Sequence, residues 1–166
     1  MSITQARILF ALVIAGIAFA LYLSCNFLPD HVAANFGKGG KVVTFNSRET
    51  YRFLMTLFAL LLPAMIYIAM AWLLRVTARF TPIPNRNYWL SSEHRSSTLL
   101  WIEKFGLATG ALVSVFWFAL HMVNFHATIL EPPHYELWPR LSLLAGWLVF
   151  VVGSGIVYRR HFNRRK

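Results

Sequence analysis

The chain has 166 residues, of which 57% are hydrophobic and only 13% are charged, and its formal net charge is +10. A soluble domain usually carries about 25% charged residues, so this composition excludes an ordinary water-soluble protein. The basic excess does not indicate nucleic-acid binding, because it falls mainly in the loops and tail of one predicted side, where membrane proteins concentrate Lys and Arg.

Four apolar blocks are each long enough to cross about 30 Å of hydrocarbon as a helix. They cover residues 8–28, 53–74, 99–125 and 141–158. Backbone groups cannot stay unpaired in lipid, so each block is predicted to be helical. The predicted fold class is therefore an all-α integral membrane protein, a four-transmembrane-helix bundle forming one domain over residues 1–166. We expect the first block to stay uncleaved, because it is longer than a signal-peptide core and lacks a small-x-small cleavage site.

Basic residues divide unequally between the two sides of this bundle. Most lie near the N-terminus, in the loop 75–98 and in the tail 159–166, and fewer lie in the loops 29–52 and 126–140. The positive-inside rule therefore predicts that both termini are cytoplasmic. The tail, YRRHFNRRK, is expected to lie on anionic lipid, at about 1 kcal/mol per basic residue near the surface.

The first outer loop contains a hairpin signal. VAANF and KVVTF flank the glycine-rich GKGG, a pattern typical of two strands joined by a turn. Gly37, Gly39 and Gly40 are expected to supply positive φ angles. An isolated hairpin is marginally stable, so we expect this one to rest on the outer helix ends or on a partner. Its predicted partner-binding residues are Asp30, His31, Asn35, Phe36, Lys38 and Lys41.

The central loop carries a second pattern, IPNRNYWLSSEHR. Pro82 and Pro84 forbid continuation of the second helix, and aromatic residues of this kind are typical of the membrane interface. Ser91 or Ser92 is expected to cap the third helix, which would begin along the membrane surface. The residues predicted to form an architectural segment at that surface are Pro84, Asn85, Tyr88, Trp89 and Arg95.

These two patterns resemble those of a bacterial membrane family defined only as a domain of unknown function, which also occurs in SdpI-type immunity proteins. The resemblance covers the chain up to Arg95, and Asn35 stands where members often have a histidine. It implies a small helical protein of the bacterial inner (cytoplasmic) membrane and implies no reaction. The residues that match are Leu28, Pro29, Asp30, Phe36 and Gly37 in the first loop, and Pro84, Asn85, Tyr88, Trp89, Leu90 and Arg95 in the second.

Ionisable residues on the third helix suggest two further kinds of site. His121 and His126 are metal candidates, but a separation of five residues turns them about 140° apart on a helix, so they do not share a face. His121 could instead pair with His31 or His134. Glu103 near the inner end of this helix could line an ion path, or could pair with a loop arginine such as Arg75 or Arg79.

Small residues on the third helix predict close packing. Gly106 and Gly110 form a GxxxG pattern that Ser114 extends, and such a pattern lets two helix backbones approach closely. The partner helix could belong to the same bundle or to another subunit. Gly146, Gly153 and Gly155 on the fourth helix are one candidate counterpart. Pro63 is expected to bend the second helix and free a carbonyl group.

No nucleophile–base pair, paired carboxylates or cofactor motif is present in the sequence, so we expect a non-enzymatic protein without a cofactor. The leading hypothesis is an accessory, immunity-like or sensory component whose partners are the lipid bilayer and another membrane protein, or a second copy of itself. The alternative is a small-solute or ion carrier, or a metal-binding membrane protein. Its residues would be His121, Asn124, His126 and Glu103.

Overall fold

A computed structural model describes residues 1–73, 83–130, 132–134 and 136–163. Within these residues, four helices are long and apolar enough to cross a membrane. This finding confirms the helical part of the predicted fold class. The four helices are α1, Ile3–Asn26; α2, Arg48–Trp72; α3, Arg95–Ile129; and α4, Leu137–Asn163.

Capping residues, more than hydrophobicity, determine where α1 and α2 begin. Ser2 caps α1 by accepting a hydrogen bond from the backbone of Gln5, whose side chain bonds back to the backbone of Ser2. Ser47 caps α2 by accepting from the backbone of Thr50. Both helices therefore begin several residues before the apolar blocks at residues 8 and 53.

The predicted start of α3 is wrong. The cap position is His94, which makes no side-chain capping bond. The hydroxyl of Ser91 instead donates to the carbonyl of Tyr88, and its own carbonyl accepts from the backbone of Arg95. Ser91 therefore closes the preceding turn, and α3 begins after it.

The second helix changes pitch twice, with π-helical turns at Leu57–Leu61 and Ala69–Leu73. Pro63 has no amide hydrogen, so the carbonyl of Ala59 lacks its usual helical donor. The Ser114 hydroxyl of α3 donates to that carbonyl. The carbonyl that a proline frees on one helix is thus bound by a serine on the next.

The GxxxG face of α3 packs against α2 within the same chain. A Cβ atom on Gly106 would lie 2.9 Å from the Cβ of Met70, and one on Gly110 would lie 3.0 Å from the backbone oxygen of Pro63. The three predicted packing residues, including Ser114, are buried. The suggested counterpart on α4 is wrong, because nothing lies within 4 Å of a Cβ built at Gly146, Gly153 or Gly155.

The predicted hairpin is present between α1 and α2. Strand β1, His31–Phe36, pairs antiparallel with β2, Val42–Ser47, and a register shift falls between Ala33 and Asn35. Gly39 and Gly40 have φ angles of 72° and 74°. The expectation for Gly37 is wrong, since its φ is −90°. Glycine is needed there because a Cβ would lie 2.9 Å from a methyl group of Val43.

The apolar core lies between α1, α2 and α3. The part under the hairpin consists of Cys25, Leu28, Val32 and Tyr51. The middle part consists of Ile17, Leu21 and Ala59. A third part, at the other end of the bundle, consists of Ile83, Ile102 and Phe162, the last of these from α4. The rest of α4 lies outside the core and packs mainly on α3, through ring contacts such as Phe116–Trp147, whose ring centres are 4.3 Å apart.

Candidate functional site

A buried histidine joins the three core helices near the hairpin. His121 of α3 has no exposed surface. Its Nε2 lies 2.7 Å from the hydroxyl oxygen of Ser24 on α1, and its Nδ1 lies 3.0 Å from that of Tyr51 on α2. We call Ser24, Tyr51 and His121 the His121 cluster.

The hydrogen bonds of Ser24 determine which nitrogen of His121 carries the proton. The single hydroxyl proton of Ser24 is directed to the carbonyl oxygen of Ala20, 2.7 Å away. The Ser24 oxygen must therefore accept from Nε2–H of His121, and Nδ1 then accepts from the hydroxyl of Tyr51. A neutral imidazole satisfies every one of these bonds, so the cluster needs no charge and no metal ion to be stable.

A second cluster joins the same three helices at the opposite end. Glu103 of α3 is 2% exposed, and its Oε1 accepts from Nε of Arg7 on α1 at 2.9 Å and from the hydroxyl of Tyr67 on α2 at 3.2 Å. We call Arg7, Tyr67 and Glu103 the Glu103 cluster. The loop arginines suggested as partners of Glu103, Arg75 and Arg79, lie outside the described residues.

The two clusters are too far apart to form one site. His121 and Glu103 are separated by 18 residues of one helix, which corresponds to about 27 Å. Because of this distance, the residues suggested for a carrier or metal site are not brought together; they are His121, Asn124, His126 and Glu103. Every buried side-chain nitrogen or oxygen among the described residues also has a hydrogen-bond partner.

His126 lies on a different face of α3 from His121, as the helical spacing predicts. It lines an open cavity of about 210 Å³ together with Met122, His134 and Glu136. Nδ1 of His134 lies 3.1 Å from the carbonyl oxygen of Pro132. Over the described parts of the chain, no three His, Cys, Asp or Glu side chains are grouped closely enough to hold a metal ion.

The base of the hairpin is tied to the helices. Val32 and Ala33 on β1 are fully buried. The guanidinium of Arg48, at the start of α2, donates to the carbonyl of Leu28 at 3.0 Å and to the carboxylate of Asp30 at 2.8 Å. The backbone of Arg48 also donates to the carbonyl of Asp30. The hairpin is thus held in one orientation relative to α1 and α2.

The outward side of the hairpin carries the predicted partner-binding residues. Five of them are exposed and Phe36 is half-buried. The side-chain amide of Asn35 donates to the Thr44 hydroxyl across the two strands at 2.8 Å. The exposed predicted residues are Asp30, His31, Asn35, Lys38 and Lys41.

Two apolar residues on this surface were missed by the sequence analysis. Val43 and Phe45 of β2 are 66% and 51% exposed. The alternation of residues in KVVTF places both on one side of the strand, and this spacing was the signal that could have identified them. The edge of β2 pairs with no other strand among the described residues, but Lys41, directly before β2, forms an isolated antiparallel bridge with His134 of the last loop.

The architectural segment of the central loop lies at the other end of the bundle. Trp89 lies in a single helical turn, Arg86–Trp89, and its indole nitrogen donates to the backbone carbonyl of Phe162 in α4 at 2.9 Å. The carbonyl of Trp89 accepts from the hydroxyl of Thr98 in α3 at 2.9 Å. This turn follows Asn85, which adopts a left-handed conformation. The segment therefore joins the start of α3 to the end of α4.

No protein-family model, curated protein or solved structure matches the chain. The family resemblance of the two loop patterns stays a prediction.

Proposed function

We propose that this chain is a non-enzymatic, multi-pass protein of the bacterial inner membrane, with both termini cytoplasmic, that acts as an accessory, immunity-like or sensory component of a membrane protein complex. Its outer hairpin binds the partner, which is another membrane protein. The observation that carries the proposal is the exposed apolar pair, Val43 and Phe45, on a strand whose base is fixed to the helices and whose outer edge faces no further strand among the described residues.

Lipid tails do not account for this exposed pair. Asp30, Arg48, Glu49 and Arg52 surround a polar cavity of about 380 Å³ at the base of the hairpin. Charged groups of this density belong at or beyond the membrane interface, because placing them in hydrocarbon is costly. These charged groups hold the base of the hairpin at or beyond that interface, so we infer that Val43 and Phe45 face water or a partner.

The strand edge also suits binding of an extended segment. An unpaired strand offers a row of backbone donors and acceptors to a partner strand, and alternate side chains then provide specificity. Here Val43 and Phe45 would supply the apolar contacts, and Lys38 and Lys41 in the adjacent turn favour an acidic neighbour. Fixing the base of the hairpin reduces the entropy lost when the partner binds.

The test is site-specific photo-cross-linking in native membranes. A photoreactive residue at position 45 is expected to capture one defined membrane protein, whereas the same residue in place of Phe19, an exposed side chain of α1, is expected to capture none. The substitution Phe45→Asp is expected to abolish copurification of that protein, with the thermal unfolding midpoint of the purified chain unchanged. Absence of a defined product at position 45, or equal capture at both positions, would overturn the proposal.

A further inference from the structure

The end of α4 near Trp89 carries two arginines for which the structure provides no anionic partner. Arg159 and Arg160 are exposed and form no ion pair with any described residue. Together with Ile156 and Asn163 they surround an open cavity of about 550 Å³. As far as the described residues go, the lining contains two guanidinium groups and one amide, but no carboxylate. Such a set favours an anion, and guanidinium groups bind phosphate oxygens in a bidentate manner.

This end of α4 is held in place from its opposite side. The His161 ring stacks on the Trp101 ring with the ring centres 3.9 Å apart and the planes 5° from parallel. Phe162 is fully buried, and its carbonyl accepts from Trp89. Because these two residues are fixed against α3 and the central loop, Arg159 and Arg160 extend from an ordered helix turn. Binding of an anion would therefore not have to order the backbone.

An apolar strip continues from this cavity along the same face of α4. Val149, Val152 and Ile156 follow the three- and four-residue spacing of one helix face, which continues to Arg160 and Asn163. The three apolar residues are exposed, and the space beside Gly153 is open. From Val149 to Arg160 the helix rises about 16 Å, close to half of the roughly 30 Å hydrocarbon thickness of a bilayer.

We infer that this face of α4 is a binding site for one anionic phospholipid of the adjacent leaflet. The phosphate lies between Arg159 and Arg160 with Asn163 beside it, and an acyl chain lies along Ile156, Val152 and Val149. The end of a helix carries about half a negative charge on its free carbonyls. The two full positive charges outweigh it. Because the lining has no carboxylate to bind an amine, lipids with a net negative headgroup bind more tightly than zwitterionic ones.

The experiment compares lipids added to the purified full-length chain in mild detergent, with native mass spectrometry measuring bound lipid. Phosphatidylglycerol is expected to bind with a stoichiometry of one at low concentration, and phosphatidylcholine to bind at least tenfold more weakly. The double substitution Arg159→Gln/Arg160→Gln is expected to weaken phosphatidylglycerol binding about 30-fold, the combined effect of two basic residues near an anionic surface.

The matched control is Lys38→Gln/Lys41→Gln, which removes the same net charge at the hairpin end. We expect it to change phosphatidylglycerol affinity less than threefold. Equal weakening by both double variants, equal affinity for the two lipids, or full competition by millimolar inorganic phosphate would each overturn the inference. Competition by phosphate would identify a site for free anions. A bulky substitution in the apolar strip, Gly153→Phe, is expected to weaken phosphatidylglycerol binding with the unfolding midpoint unchanged.

Discussion

At the scale of single residues, the polar side chains within the apolar helices act as connections between helices. His121 and Glu103 each bond to one residue from α1 and to a tyrosine from α2. The sequence identified both residues as unusual, because polar groups are rare in lipid-crossing helices. It could not identify their partners, since Ser24 and Tyr51 are 97 and 70 residues from His121. Such pairings depend on how the helices are rotated against each other.

The His121 cluster leads to a test of this connecting role. The substitution His121→Phe keeps a ring of similar size but removes both nitrogens, so Ser24 and Tyr51 lose their bonds to it. We expect the free energy of unfolding to fall by about 1–2 kcal/mol, the range for hydrogen bonds between membrane helices. Unfolding in mixed detergent and denaturant measures this loss.

The control for this measurement is His126→Phe, because His126 is exposed on the same helix. It is expected to change the free energy of unfolding by less than about 0.5 kcal/mol, as is usual at a surface position. A loss of equal size in the two variants would contradict the connecting role of His121.

At the scale of elements, local patterns predicted the helices and the hairpin, but not how they pack. The four helices follow from the length of the apolar blocks, and the turn follows from the glycines. The helix starts were misplaced because Ser2, Ser47 and Ser91 form specific bonds that hydrophobicity does not encode. The packing face of Gly106 and Gly110 was predicted, but its partner α2 was not. That pairing includes the bond from Ser114 to the carbonyl that Pro63 leaves free, which no local pattern encodes.

The glycines of α3 and α4 allow a matched test of this packing. In Gly110→Ala the new methyl group would lie 3.0 Å from the backbone oxygen of Pro63 and 3.1 Å from the ring of Phe10. The backbone cannot easily move away, so we expect a destabilisation of about 1–3 kcal/mol. In Gly146→Ala the methyl group meets nothing within 4 Å, and alanine favours a helix by about 1 kcal/mol over glycine.

The same unfolding measurement, made in parallel on both variants, checks this expectation. The order of stability should be Gly146→Ala at or above the unsubstituted chain, and Gly110→Ala below it. Destabilisation by Gly146→Ala would mean that this face of α4 is covered by something that the chain itself does not provide, such as a second copy.

At the scale of the whole molecule, the two ends of the bundle have different chemistry. One end carries the hairpin, with its exposed apolar pair and the ion pair of Asp30 and Arg48. The other end carries the Glu103 cluster, the contact of Trp89 with α4, and the exposed arginines of the last turns of α4. Among the described residues, this second end also carries the basic residues Arg7, Arg86, Arg95 and Lys104. From this asymmetry the positive-inside rule predicts that the end with the hairpin faces away from the cytoplasm.

Single cysteines at the two ends test this orientation in intact cells. In a Cys25→Ala background, which removes the buried native thiol, Lys38→Cys is expected to react with a membrane-impermeant maleimide added outside. Asn163→Cys is expected to react only after lysis. The control, Leu148→Cys, is exposed on α4 but should react in neither case, because a thiol in hydrocarbon does not ionise. Labelling of Asn163→Cys from outside would reverse the orientation, and labelling of Leu148→Cys would place α4 in water. Labelling of Asn163→Cys from outside would contradict the proposed partner surface, because that surface requires the hairpin to lie outside. Labelling of Leu148→Cys would contradict the phospholipid site, because that site requires α4 to lie within lipid.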